Sequence, residues 1–152
     1  YGYYALNSLR LEKSFGIWNN EFMQAYTPGE TGLSKWISRG KNVEFVGKTP
    51  ALKELSEGKK TLQKTLITLE IKDAEVEANG YEPIWSKNNK RIGMTTSGGY
   101  GHNVHKSLAM AFVEPEFSEP GIELKTHIVG KEKSCVVLDN SPWDPDGSRM
   151  RS

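Results

Sequence analysis

Apolar and polar side chains alternate repeatedly through the second half of this chain, and this pattern restricts the fold more than any other sequence feature. Ile67, Leu69 and Ile71 alternate with polar neighbours, which is typical of a strand with one buried face. Similar segments follow at near-regular spacing, with turn residues between them. They span residues 83–85, 91–96, 106–113, 122–128 and 134–138. Short strands in this arrangement predict a small antiparallel barrel or sandwich.

Two of these segments allow more specific predictions. Residues 86–90 are polar and lie between two strand-like segments, so they should form a hairpin loop. Residues 106–113 place large side chains on one face and small ones on the other, beginning with Leu108 and Ala109. From Ser107 to Val113 neither face carries a charge, so both faces of this strand should be buried.

The first half of the chain has a helical pattern. Residues 4–13 predict a helix whose apolar face carries Ala5, Leu6 and Leu9. Residues 33–38 could form a short strand. A second helix should have Thr49 as its N-cap and Pro50 at its first position, and should end at Gly58. Because the composition changes near residue 58, we expect domains at 1–57 and 58–152.

Charge and cysteine content exclude several classes of protein. The chain has 20 basic and 19 acidic residues, so charge favours binding to neither nucleic acid nor an acidic membrane surface. The single cysteine, Cys135, cannot form an internal disulfide and lies in an apolar run, so a buried, inert thiol is expected. A reducing compartment follows: the cytoplasm, or the mitochondrial matrix in a eukaryote. The chain begins at Tyr1 within a helix-like segment, so we expect a fragment of a longer protein.

A glycine cluster at residues 95–101 invites comparison with phosphate-binding loops. Neither the dinucleotide fingerprint nor the P-loop spacing fits, because Val104 stands where a third glycine would be needed. A tight turn or a bulge between two strands is the better interpretation. The histidines have no convergent partners at ligand spacing, so no metal site is expected.

Aromatic residues are concentrated in the first 26 positions, where seven of them flank Arg10 and Glu12. Aromatic rings stack on flat heterocycles, an arginine can grip a carboxylate, and a glutamate can accept from a ring N–H. The same residues could instead form a core with one structural salt bridge. Glu12 is a candidate partner for Arg10, but the two side chains could also face different ways, because residues two apart on a helix do not meet. The residues alone leave both interpretations open.

The run from residue 5 to residue 18 resembles the Leu-Arg-Leu-Glu helix of the glycine-cleavage T-protein (aminomethyltransferase) family; it reads ALNSLRLEKSFGIW. Leu6 and Asn7 stand where T-proteins begin this helix with a folate-contacting arginine, which favours the dimethylglycine and sarcosine dehydrogenase branch. Later stretches agree in order with that branch: residues 26–28, 32–33, 45–48, 96–101, 106–109, 144–145 and 149–151.

The resemblance implies an α+β chain: the end of a folate-binding aminomethyltransferase-type domain, followed by that family's C-terminal antiparallel β-barrel. It implies tetrahydrofolate-dependent one-carbon transfer, in which a preceding FAD domain oxidises a small N-methyl amine and folate takes up the carbon as 5,10-methylenetetrahydrofolate. Partners would be folate, the amine or an aminomethyl donor, and the protein's own N-terminal domains. The alternatives are a stand-alone aminomethyltransferase or demethylase, and a non-catalytic docking barrel.

The resemblance also implies site residues. Phe15 and Trp18 would form walls of the folate cleft, with Tyr4 and Arg10 beside them. Arg149 and Arg151 would contact the glutamate tail of folate. The family's key aspartate and its pterin-binding glutamate lie upstream of this helix, so no catalytic residue is expected in this chain. The chain alone should therefore bind tetrahydrofolate weakly or not at all.

Overall fold

In the part of the chain that the structure describes, six antiparallel strands close into a barrel in the order β1-β4-β3-β2-β5-β6. The structure is a computed structural model that describes residues 1–40, 42–73, 75–149 and 151. Helices are α1 (Tyr3–Glu12) and α2 (Lys48–Glu57), with 3-10 turns at Ser34–Trp36, Gly58–Thr61 and Pro115–Phe117. Strands are β1 (Thr65–Ile71), β2 (Pro83–Trp85), β3 (Arg91–Gly101), β4 (Lys106–Val113), β5 (Glu123–Ile128) and β6 (Lys131–Val137). The predicted barrel is confirmed.

The barrel interior is filled by the apolar positions that the alternating pattern predicted. Ile67, Leu69 and Ile71 of β1 are buried there together with residues from the other strands. Cys135 belongs to the same cluster, which confirms the buried thiol. Burial in this apolar setting raises the pKa of the Cys135 thiol to about 12, because the charged thiolate is poorly solvated there.

Strand β4 is buried on both faces, as predicted, and the structure gives the reason. Its small residues, Ala109 and Ala111, point into the barrel. Its large residues lie outside the barrel, where Leu108 and Met110 pack under Leu11 of α1. The N-terminal part of the chain therefore covers the outer face of the barrel at β4.

Strand β3 continues through the glycine cluster, so the predicted turn there is wrong and the predicted bulge is right. The pairing of β3 with β4 shifts register between Thr95 and Ser97, and then continues to Gly101. The turn itself lies at residues 102–105. A Cβ on Gly101 would lie 2.8 Å from Val104 Cγ2 and 3.0 Å from Glu12 Cγ. The lack of a side chain at Gly101 thus lets α1 lie close against β3.

Helix α1 packs with the opposite face to the one predicted. Ala5, Leu6 and Leu9 are exposed, whereas Leu11 is buried together with two charged residues of the helix. The reason is a set of polar contacts with β3: Asn7 Nδ2 donates to the carbonyl of Gly98 at 2.9 Å. Because these contacts fix the orientation of α1, its apolar stripe faces outward.

The remaining differences from prediction are local. Helix α2 begins at Lys48, after a Gly47 N-cap at φ 84°, and not after Thr49; it ends before Gly58, as predicted. Residues 33–38 form a 3-10 turn and not a strand, because Trp36 N donates to the carbonyl of Leu33 at 2.9 Å. The hairpin loop at 86–90 is confirmed. No helix among the described residues has the length and apolarity needed to cross a membrane.

Candidate functional site

A cleft of about 340 Å³ lies beside the N-terminal half of α1. Its walls are α1, the part of β3 from Ser97 to Tyr100, and the loop at residues 77–79. Tyr3 and Tyr4 stand at its rim, and Tyr4 is 90% exposed. The cleft lies at the small end of the usual range for ligand pockets, about 300–1,000 Å³. It could hold one flat ring system with its edge groups.

Arg10 lines the same cleft and is only 7% exposed. Its Nε donates to Asn7 Oδ1 at 2.9 Å, and its Nη1 donates to the Phe15 carbonyl at 3.2 Å. Its buried Nη2 has no hydrogen-bond partner within the described residues. Burial lowers the pKa of Arg10, and the nearby Glu21 partly offsets that shift, but a guanidinium stays charged near neutral pH. The unmatched N–H donors of Nη2 suit a carbonyl or carboxylate oxygen.

Glu21 is the acidic partner of Arg10, and the sequence analysis did not identify it. It is fully buried, and its Oε2 accepts from Arg10 Nη1 at 3.4 Å and from Ile17 N at 2.8 Å. Its Oε1 accepts from Thr96 Oγ1 at 2.5 Å and Ser97 Oγ at 2.6 Å. The run of hydroxyl residues just before the glycine cluster was the available signal, because buried hydroxyls need acceptors.

Glu12 does not pair with Arg10; of the two possibilities that the sequence left open, the structure shows the one in which the side chains face different ways. Residues two apart on a helix project about 200° from one another, so the two side chains contact different parts of the protein. Glu12 Oε1 accepts from Asn103 N at 2.6 Å and from Val104 N at 3.2 Å. Glu12 is 1% exposed and holds the turn between β3 and β4, so it is not available to a ligand.

The aromatic residues near the N-terminus are not buried together. Phe15 is 54% exposed and Trp18 is 77% exposed. Tyr26 differs from them, because its ring stacks on Phe112 of β4 at a centroid distance of 3.9 Å. Burial, with the charge of Glu30, raises the pKa of Tyr26. Tyr26 therefore covers the barrel, whereas Phe15 and Trp18 present open ring surfaces.

The predicted site residues do not all line the cleft. Tyr4 and Arg10 line the cleft, while Phe15 lies near the helix C-terminus with Lys13 Nζ 5.9 Å from its ring centroid. Lys13 Nζ also donates to the carbonyl of Asp144 at 2.5 Å, which ties the C-terminal tail to this end. A ten-residue helix is about 15 Å long. Phe15 therefore lies past the C-terminal end of α1 and does not line the cleft that contains Tyr4.

The two C-terminal arginines lie on that tail. The guanidinium of Arg149 stacks on Trp143, with its central carbon 4.7 Å from the ring centroid. Arg151 Nη2 donates to the carbonyl of Asp146. Trp143 N donates to the carbonyl of Glu12 at 3.0 Å, so the tail lies against the C-terminal end of α1.

The structure also contains a larger groove that the sequence did not indicate. It has a volume of about 780 Å³ and lies between α2 and the segments 25–30 and 61–64. Phe45, Pro50 and Ala51 give it an apolar lining, and α2 has no fully buried residue. Among the described residues, no group of three or more His, Cys, Asp or Glu side chains could hold a metal ion.

The closed barrel belongs to a known family of barrel domains, and the chain is a member of that family. Residues 64–144 match the family described as the glycine cleavage T-protein C-terminal barrel domain. The fold is similar to that of the glycine cleavage system aminomethyltransferase T of Bartonella henselae, with a TM-score of 0.84 and 23% sequence identity. That similarity covers 93% of this chain and 38% of the Bartonella chain.

Among curated relatives, the chain is similar to mitochondrial dimethylglycine dehydrogenase of Rattus norvegicus, with 39% identity over 138 residues. The human protein of the same name is 38% identical over 138 residues. The aminomethyltransferase of Clostridium botulinum strain Langeland is 30% identical over 135 residues. These matches cover 91%, 91% and 89% of this chain, but only 16%, 16% and 35% of the relatives. The family resemblance expected from the Leu9–Glu12 motif is confirmed.

Proposed function

We propose that this chain forms one wall of a tetrahydrofolate site in a one-carbon transfer enzyme of the dimethylglycine or sarcosine dehydrogenase type. The main support is the cleft at α1, where exposed tyrosine rings stand beside a buried guanidinium with unmatched donors. Family membership and the names of the relatives support the same class. The chain spans 16% of the dimethylglycine dehydrogenases that it matches, so the activity of the whole protein is part of this proposal.

The residues of the cleft fit the chemistry of a folate ring. Tyr4 offers an exposed ring on which a flat heterocycle can stack. Arg10 Nη2 offers donors to a ring carbonyl, and burial strengthens such a bond because water competes less. Bound tetrahydrofolate supplies nucleophilic nitrogens that take up a one-carbon unit as 5,10-methylenetetrahydrofolate. This chain would bind and orient that ring, and holding the ring in place raises its effective concentration at the site where the carbon is released.

Phe15 and Trp18 would extend the same wall beyond the cleft, because both rings are exposed on the α1 side of the barrel. Arg149 and Arg151 are our proposed contacts for the carboxylates of the folate tail. Arg149 stacks on Trp143, and Trp143 N is bonded to the carbonyl of Glu12, so this arginine lies near the C-terminal end of α1. We assign no proton-transfer step to this chain.

The proposal includes partners and a location. The reaction would need a small N-methyl amine, an FAD-containing domain that oxidises it, and contact with that domain. We place the boundary between the folate-binding part and the barrel near residue 58. A mitochondrial matrix location in a eukaryotic cell is proposed because the rat and human relatives are named mitochondrial.

The test is a Phe15→Ala substitution in the intact protein, with tetrahydrofolate affinity measured by calorimetry and stability by thermal melting. Because Phe15 is half exposed, its truncation should change melting little but weaken folate binding. Val129→Ala is the control, since Val129 is an exposed apolar residue at the turn between β5 and β6. Unchanged folate affinity in the Phe15 variant, whether or not stability falls, would contradict a role for Phe15 in the folate-binding wall.

A docking role is the second candidate, and the outward apolar stripe of α1 favours it. Leu6 and Leu9 are exposed on this helix, and exposed apolar patches often mark surfaces that another domain covers. Leu9→Lys separates the two functions. If α1 is a docking surface, Leu9→Lys should weaken association with the partner domain. If α1 is a wall of the folate site, Leu9→Lys should leave folate affinity unchanged, and only a change of Tyr4 or Phe15 should lower it.

A stand-alone aminomethyltransferase is the nearest alternative within the family, because the Clostridium botulinum relative carries that name. Flavin absorbance in the purified intact protein would support the dehydrogenase. Its absence from a protein that still binds tetrahydrofolate would support the transferase.

A further inference from the structure

The segment that carries the exposed aromatic rings has no regular secondary structure. Residues 14–26, which we call the aromatic segment, follow α1 and contain no helix or strand; the next element along the chain is the 3-10 turn at Ser34–Trp36. Phe15 N donates to the carbonyl of Arg10 at 2.8 Å, which fixes only the start of the segment to the end of α1. Backbone bonds within the segment, such as Glu21 N to the carbonyl of Ile17, shape it locally. They do not set its position on the barrel.

Glu21 joins the aromatic segment to the barrel at one buried carboxylate. Its Oε1 accepts from two consecutive hydroxyls of β3, Thr96 Oγ1 at 2.5 Å and Ser97 Oγ at 2.6 Å. Its Oε2 accepts from Ile17 N within the segment and from Arg10 on α1. One side chain therefore ties together the segment, the helix and the barrel.

The bulge in β3 makes this arrangement possible. Consecutive residues of a regular strand point to opposite faces, so Thr96 and Ser97 could not both reach one oxygen. The register shift between Thr95 and Ser97 breaks that alternation and turns both hydroxyls toward Glu21. Bulges often re-aim side chains next to functional sites, and this one lies beside the cleft that Ser97 also lines.

We infer that Glu21 is a positioning residue: it sets the aromatic segment, with Phe15 and Trp18, at the place where the ring of a folate ligand is bound. This inference rests on the proposed function. Glu21 itself does not contact the ligand in this account. It acts through Arg10, whose Nη1 it holds, and through the backbone that carries Phe15 and Trp18.

The chemistry predicts what a Glu21→Gln substitution should do. A glutamine can keep one acceptor for the hydroxyls, but its NH2 group would then face Ile17 N–H and the Arg10 guanidinium, which are donors as well. Two buried donors lose their acceptor, and hydrogen bonds to charged groups are the stronger kind. The aromatic segment should therefore loosen from the barrel.

Glu12→Gln is a matched control. Glu12 is also a buried glutamate that accepts several hydrogen bonds, but it holds the turn after β3 and not the aromatic segment. Both substitutions should lower the melting temperature. Only Glu21→Gln should affect the position of Phe15 and Trp18.

The experiment compares both variants with the unchanged intact protein in two measurements: amide hydrogen exchange over residues 14–26, and tetrahydrofolate affinity by calorimetry. For Glu21→Gln we expect exchange in this segment to accelerate by about tenfold or more and Kd to rise by about tenfold or more, the effect of losing one charge-assisted bond. For Glu12→Gln both values should stay within about twofold. Ser97→Ala removes one of the hydroxyl donors, so it should give a smaller change in the same direction even if Glu21→Gln does not fold.

Three outcomes would overturn the inference. If amide exchange over residues 14–26 is unchanged in both Glu21→Gln and Ser97→Ala, Glu21 does not hold the segment. Faster exchange with unchanged Kd would show that the segment does not position the ligand. An equal loss of affinity in Glu12→Gln would point to general destabilisation. Failure of the unchanged protein to bind tetrahydrofolate would instead refute the proposed function, and the exchange measurement would still decide whether Glu21 anchors the segment.

Discussion

The orientation of α1 can be tested by removing either of two leucines that lie two positions apart. Leu11 is 0% exposed and packs against Leu108 and Met110 of β4, whereas Leu9 is 49% exposed on the outer side of the helix. Truncating a fully buried leucine to alanine costs about 2.7–5.0 kcal/mol in comparable series, because buried methyl groups are lost and a cavity remains. Leu9→Ala should cost less than about 1 kcal/mol, since alanine is also the better helix former.

The assay is urea unfolding of the two variants and the unchanged protein, with the midpoint converted to a free energy of unfolding. For a domain of this size, the Leu11→Ala loss corresponds to a drop in melting temperature of roughly 8–16 °C. A similar m-value in all three proteins would show that the comparison concerns stability alone. An equal or larger loss for Leu9→Ala would refute the described orientation of α1 and support the face expected from its apolar spacing.

Three other predictions follow from burial and close packing. Cys135 should resist thiol reagents at pH 8 until the protein unfolds, because burial raises its pKa to about 12. Since only the unfolded thiol ionises between about pH 8.5 and 12, stability should fall across that range by up to about 1.4 kcal/mol per pH unit in a denaturation series. Burial alone would raise the pKa of Glu70, but hydrogen bonds from Lys106 and a second lysine lower it. The stabilising contribution of Glu70 should therefore be present above about pH 4.3 and be lost as the pH falls below that value. In Lys106→Met, the free energy of unfolding should fall less steeply on acidification. Gly101→Ala should destabilise by about 1–3 kcal/mol in urea unfolding, because the new methyl group would press on Glu12, and an unchanged midpoint would contradict the close approach of α1 to β3.

Sequence patterns predicted the barrel well because burial leaves a direct mark on strands. Ile67, Leu69 and Ile71 alternate with polar residues because one face of β1 forms the barrel interior. Strand β4 lacks such alternation, and its two apolar faces correctly indicated a second cover, which α1 provides through Leu11. Patterns of this kind depend only on neighbours within a few residues.

The parts that sequence reasoning missed depend on contacts between distant residues. The orientation of α1 follows from polar contacts such as Asn7 to Gly98, which are 91 positions apart, and these outweigh the apolar spacing of the helix. Glu21 meets Ser97 across 76 positions, and it does so only because of a bulge that no local pattern specifies. The sequence could therefore offer Glu12 only as one possible partner of Arg10, and it did not point to Glu21.

The candidate site was predicted in part. The resemblance named Tyr4, Arg10, Phe15 and Trp18, and the structure brings Tyr4 and Arg10 to one cleft. Phe15 lies just past the C-terminal end of α1 and outside the cleft, because the chain turns after the helix and Arg10 holds its carbonyl. Which rings face a common opening depends on the path of residues 14–26, and that path is irregular.

The most direct measurement is a crystal structure of the intact protein with tetrahydrofolate bound. We expect atoms of the folate ring to lie within about 4.5 Å of the Tyr4 or Phe15 side chain, and an oxygen of the ligand to accept from Arg10 Nη2. Folate bound elsewhere, with the tyrosines and Phe15 covered by another part of the protein, would contradict this expectation.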